Sequence, residues 1–152
     1  MNRKFWILVV FIAIFINENF VKWLLAMFVG GLNPADGFID AYKFFSMEGY
    51  LFFSIFRVIP YLLLFFLVAF KIKGNTVVGI GWGGLLGIVL GMIFGFWDSQ
   101  SAIYSAKQVS STTAIAFLII PFFSIITGML GGLVGFHTFK AYRYFTNKSL
   151  NV

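Results

Sequence analysis

"FIAIFINENFVKWLLAMF", Phe11 to Phe28, decides how often this chain crosses a membrane. An almost purely apolar run, Phe5 to Ile16, meets Asn17, Glu18 and Asn19, with Lys22 one turn further on. Trp23 then resumes the apolar pattern through Val29. Asn2-Arg3-Lys4 and Phe5–Ile16 have the charged and apolar parts of a signal sequence. No small-x-small cleavage site follows, however, and the apolar run continues past the polar cluster. The stretch therefore reads as one uncleaved first helix, about Phe5–Val29, with its polar residues held near the middle.

The rest of the composition agrees with a lipid environment. Of 152 residues, 61% are hydrophobic and 11% charged, and the mean hydropathy is +0.96. A soluble domain carries about a quarter charged residues. With 22 Phe against five carboxylates, the chain is too apolar for a water-exposed globule. No polar block is long enough to separate two domains, so residues 1–152 read as one membrane domain. Cysteine is absent, which excludes disulfides, thiol nucleophiles and Cys-ligated metals.

A crossing helix needs about 20 predominantly apolar residues. The stretches Phe5–Val29, Tyr50–Phe70, Val77–Trp97 and Ala114–Phe136 satisfy this, which predicts an all-α bundle of four transmembrane helices. Gly30-Gly31 and Asn33-Pro34 end the first. The short Lys71–Asn75 segment makes the second and third an antiparallel hairpin. Ser110–Thr113 offers hydroxyl caps for the fourth. Residues from Tyr144 onward read as a loose tail.

Charge placement sets the orientation. Arg3, Lys4, Lys71, Lys73, Lys140, Arg143 and Lys148 fall on one side, and Lys43 and Lys107 on the other, with Asp36, Asp40, Glu48 and Asp98. The positive-inside rule then puts both termini in the cytoplasm of a cell inner membrane, and the longer loops outside. The net charge of +6 is thus a topology signal and calls for no nucleic acid. In the first outer loop Phe38, Tyr42 and Phe45 recur at helical spacing, which predicts a short helix lying at the outer interface. The second, Asp98–Thr113, is polar and unpatterned, and reads as a connector.

Two features of the spans carry more information. Gly79, Gly83, Gly87, Gly91 and Gly95 form an unbroken every-fourth-residue series, echoed by Gly128/Gly132 and Gly131/Gly135 in the last span. Such small faces let helix backbones approach closely in lipid. The neighbour is the fourth or first span of the same chain, a second copy, or another membrane subunit.

The second feature is charge inside the spans, which costs at least about 2.5 to 3.5 kcal/mol per residue unless partnered. Glu18 and Lys22 share a helical face. With the first span centred near Asn17, Lys22 lies roughly 7 Å outward of Glu18. With the second centred near Pro60, Arg57 lies about 4 to 5 Å outward, level with the gap between them. The expected network is a Glu18–Arg57 bridge completed by Lys22, Asn17 and Asn19. It either fixes helix pairing, handles an ion, proton or anionic substrate, or meets a partner's charge.

Catalytic chemistry is poorly supplied. The size and four-span topology are similar to those of lipoprotein signal peptidases. That family's chemistry needs two aspartates converging at the outer ends of the later helices. Here Asp98 stands alone and the fourth span opens on hydroxyls. His137 is the single histidine and has no second ligand nearby. No Ser/His/Asp set or metal cluster is legible, and no cofactor is expected. The functional expectation is a non-enzymatic accessory, assembly or immunity-like subunit whose partners are the bilayer and itself or other membrane subunits. A small transporter or channel using Glu18, Lys22 and Arg57 is the alternative, and a membrane enzyme a more distant one.

Overall fold

The computed structural model describes residues 3–71, 76–104 and 113–149, and every regular element among them is helical. In chain order these are α1 (Arg3–Phe15), α2 (Glu18–Phe28), α3 (Pro34–Tyr42), α4 (Met47–Phe66), α5 (Val77–Tyr104) and α6 (Thr113–Ser149). A π-helical segment, Leu67–Lys71, extends α4. Met47–Ala69, Val77–Ser101 and Ile115–Thr146 are each long and apolar enough to cross a membrane. A fourth crossing results if α1 and α2 act together as one broken span.

The expected single first helix is therefore corrected. The chain breaks at Ile16-Asn17, and α2 leaves at 67° to α1. Asn17 takes an extended backbone, φ −134° and ψ 175°, and its side chain accepts the Phe20 N–H at 2.9 Å. That is an N-cap, with Glu18 at the positive end of the new helix. The polar cluster is a helix start rather than a charged insertion in a continuous helix.

Helix α2 ends where Gly31 adopts φ +68°, a left-handed conformation that glycine reaches without steric cost. The Leu32 N–H folds back to the Ala26 carbonyl at 3.0 Å. Helix α3 follows at once, capped by Asn33 and with Pro34 in its first turn. This is the short helix expected in the first outer loop, ending at Tyr42 and so leaving Phe45 beyond it. It packs on α2 through Gly37, where an added Cβ would stand 3.3 Å from Met27 and 3.4 Å from Trp23. The Trp23 indole N–H also donates to the Pro34 carbonyl at 2.9 Å.

The centre of the fold is the antiparallel pair α5–α6. Gly79 faces Gly135, Gly83 faces Gly131, Gly87 faces Thr127, Gly91 faces Ser124 and Thr127, and Gly95 faces Ile120. A Cβ at Gly83 would stand 2.9 Å from the Gly135 Cα, so backbone meets backbone at Gly79, Gly83 and Gly87, while Gly95 meets the Ile120 side chain. Of the α6 glycines, Gly131 and Gly135 make this contact, whereas Gly128 packs on Ile88 and Gly132 has ordinary contact space at 3.6 Å. The glycine face of α5 is thus occupied within the chain.

Leu85, Ile88, Met92 and Phe96 on α5 join Val21 and Leu25 of α2 and Ile120 of α6 in one buried apolar cluster. Helix α4 leans on the pair through Leu64, whose Cδ1 lies 2.7 Å from where a Gly84 Cβ would be.

Two boundaries differ from expectation. Helix α5 runs on through Tyr104, so the polar Asp98 segment begins as helix rather than connector. Helix α6 continues to Ser149, so residues from Tyr144 are helical rather than a loose tail. Beyond Phe136 it holds neither glycine nor proline to stop it. The expected turn at 72–75, the hydroxyl caps at 110–112, Lys107 and residues 150–152 lie outside the described residues.

Candidate functional site

Breaking a helix leaves its last carbonyls and the next helix's first N–H groups without intrahelical partners. The structure answers this at the α1–α2 break with side chains from α4. Arg57 Nη1 donates to Glu18 Oε2 at 2.9 Å, forming an ion pair in which the side chains are 2% and 13% exposed. Its Nε donates to the Ala13 carbonyl at 3.3 Å, and Nη2 to Ser54 Oγ at 2.6 Å. The guanidinium also lies over the Tyr50 ring, 4.7 Å from its centroid.

The Ile14 carbonyl takes the Tyr50 hydroxyl at 3.2 Å and the Asn17 side-chain amide at 3.1 Å. One cation thus sits between the negative end of α1 and a carboxylate at the positive end of α2. Both placements are electrostatically favourable.

Among the expected members, Glu18, Arg57 and Asn17 come together here. Lys22 does not join them: its Nζ donates to the Asp40 carbonyl at 3.1 Å and ties α2 to α3. Asn19 is half-buried and makes no side-chain hydrogen bond among the described residues. Asp98 and His137 are exposed, at opposite ends of the α5–α6 pair.

The cluster's level in the bundle also differs from expectation. Buried Gln100, in the last turns of α5, donates to the Glu18 carbonyl at 3.0 Å. The helix break therefore lies toward one end of the bundle, away from its middle. Tyr42 at the end of α3 completes the surroundings. Burial, with Tyr50 and Glu18 nearby, raises its phenol above the ordinary 10.0 while a hydrogen bond with Asn17 lowers it. It stays a neutral phenol at physiological pH.

Gln100, Ser54 and Tyr50 were not among the expected members. A signal for part of this existed: Tyr50, Ser54, Arg57 and Tyr61 recur at i, i+4, i+7 and i+11, a polar stripe down one face of an otherwise apolar helix. Gln100 has no such companion.

The cap itself is testable. Asn17→Ala is expected to lower stability by about 1 kcal/mol, read from unfolding in mixed detergent micelles. The distance between spin labels at exposed Val10 and Phe28 should lengthen as the bend relaxes.

No known protein family, curated protein or solved structure matches the chain.

Proposed function

We propose that the chain is a non-enzymatic, multi-pass inner-membrane protein acting as an accessory, assembly or immunity-like subunit that receives a transmembrane helix of another protein. The observation that carries this reading is a lateral groove of about 370 Å³ between α4, α5 and α6. Gly132 lines its base with ordinary contact space for a side chain, Leu64 and Ile88 cover the neighbouring Gly84 and Gly128, and Pro60 and Ile125 also line it. Leu63, Met129 and Leu133 on the rim are exposed, so the groove opens sideways. An apolar groove with a glycine in its base suits a ridge of side chains from another helix. The cation distribution along the sequence supports cytoplasmic termini.

The transporter reading draws less support. The Arg57 guanidinium is engaged on three sides by Glu18, Ala13 and Ser54, and Lys22 is directed elsewhere. A fixed, internally satisfied pair suits a positional role better than repeated ligand exchange.

The test uses a tagged chain at native level, purified gently and weighed as an intact complex. A stoichiometric partner is expected. Gly132→Leu should expel that partner while the protein stays folded, because the new side chain has ordinary contact space at its root and projects into the groove. A bare monomer in the unaltered protein would sink the reading.

A further inference from the structure

Charge divides the bundle into two ends. The Trp6 ring meets Phe65 and the Phe5 ring meets Trp82, with centroids 4.9 and 5.1 Å apart. Gly79 faces Gly135. The start of α1, the close of α4, the start of α5 and the final part of α6 therefore lie together. They carry Arg3, Lys4, Lys71, Lys140 and Arg143. All five carboxylate side chains lie toward the other end. Asp36 and Asp40 are on α3, Glu48 opens α4, and Glu18 and Asp98 are near Gln100.

A groove of about 610 Å³ follows the seam of α5 and α6 from the cationic end. It runs from Val78 and Tyr142 to Leu90 and Thr127, and α4 contributes nothing to it among the described residues. Trp82, Leu86 and Val134 on its rim are exposed, so it opens laterally. Beyond Leu90 the seam closes, because Gly91 meets Thr127 and Ser124 and the Ile120 side chain fills the space at Gly95. At about 1.5 Å per residue the open part spans about 18 Å. One leaflet contributes about 15 Å of hydrocarbon.

The mouth of the groove is cationic. Arg3 and Lys4, both exposed, stand within one turn of Phe5, whose ring touches Trp82 on the rim. Arg143 follows Tyr142 on the other side. Trp and Tyr are the side chains enriched at head-group level, and Trp82 and Tyr142 both line the groove toward this end.

We propose that the α5–α6 groove holds one acyl chain of an anionic phospholipid whose phosphate lies against Arg3 and Lys4. Charge complementarity selects this occupant. A second copy packed side by side would bring the same cations to the same level, and like charges so placed repel. A zwitterionic lipid brings its own compensating cation, whereas an anionic head group answers the unneutralised ones. The site lies apart from the helix-receiving groove beside α4 and does not depend on it.

The test places the full-length protein in phosphatidylcholine nanodiscs with either of two probes. One is phosphatidylglycerol carrying a mid-chain diazirine, and the other phosphatidylcholine carrying the same chain. After illumination, cross-links are mapped by mass. Labelling by the glycerol lipid is expected to concentrate at Leu86, Leu90 and Val134 and to saturate at one per chain. It should exceed labelling by the choline lipid about fivefold or more. Met129 and Leu133, similarly exposed beside the other groove, should be labelled equally by both.

Arg3→Gln and Lys4→Gln should each lower labelling by the glycerol lipid about fivefold, the equivalent of about 1 kcal/mol per cation. Lys43→Gln, at the opposite end, should change nothing. Leu86→Trp, which fills the groove from its rim, should abolish the selective labelling. In every variant, unchanged labelling at Met129 and Leu133 reports an intact fold. Equal labelling by the two lipids, or a preference that survives the combined Arg3→Gln and Lys4→Gln variant, would overturn the proposal. So would a polypeptide trapped in native membranes by a photoreactive residue at position 86, which would make the groove a helix seat.

Discussion

Gly83→Leu is expected to leave no folded protein, and Gly83→Ala to lose about 3 kcal/mol or more, the upper end of overpacking costs. The reason is what lies opposite. An added Cβ at Gly83 would press on the Gly131 carbonyl oxygen and stand 2.9 Å from the Gly135 Cα. Both neighbours are backbone, so no side chain can rotate away, and relief requires α5 and α6 to separate. Separation would also release the contacts of Gly79, Gly87 and Gly91, which belong to the same face. Gly132→Ala is the matched control: its Cβ would meet Ile80 at 3.6 Å, and its effect should stay within about 0.5 kcal/mol. Circular dichroism and detergent-titrated unfolding of the variants measure the contrast. Equal stability of Gly83→Ala and Gly132→Ala would show that the helices are not held backbone to backbone.

The glycine series was legible because its period matches the helix, so sequence alone marks a smooth face. That period does not identify the facing helix, and only the register of Gly79 with Gly135 and Gly83 with Gly131 decides it. The break at Asn17 was harder to read. Apolar residues on both sides satisfy the length of a span, so hydropathy averages across the interruption. The local signal was the cap chemistry: an asparagine followed by an acidic residue in the next turn position marks a helix start. Glu18 and Arg57 could be paired by charge alone, because five carboxylates and few buried bases leave little choice. Lys22 is expected in the same network but bonds elsewhere, because its acceptor is the Asp40 backbone carbonyl, which no pattern of side chains announces.

The second large effect concerns Arg57, where the structure changes what a charge-swap experiment means. Arg57→Leu is expected to cost about 3 to 5 kcal/mol, the usual penalty for removing one member of a buried pair. It leaves the Glu18 carboxylate and the Ala13 carbonyl without their donors. Glu18→Gln should cost less, about 1 to 2 kcal/mol, because the amide oxygen still accepts from the guanidinium. Arg57→Lys should fall between them, since one ammonium lacks the planar fork that reaches Glu18, Ala13 and Ser54 together.

For an isolated ion pair, combining Glu18→Arg with Arg57→Glu would restore much of the lost stability. Here it should not. A glutamate at 57 has no donor for the Ala13 carbonyl and faces the negative end of α1. An arginine at 18 places positive charge at the positive end of α2. The double variant should therefore be no more stable than Arg57→Leu in a detergent-titrated unfolding cycle. Recovery to within about 1 kcal/mol of the original protein, the scale of one ordinary hydrogen bond, would mean that the ion pair alone holds these helices. The guanidinium's reach across the break would then be incidental.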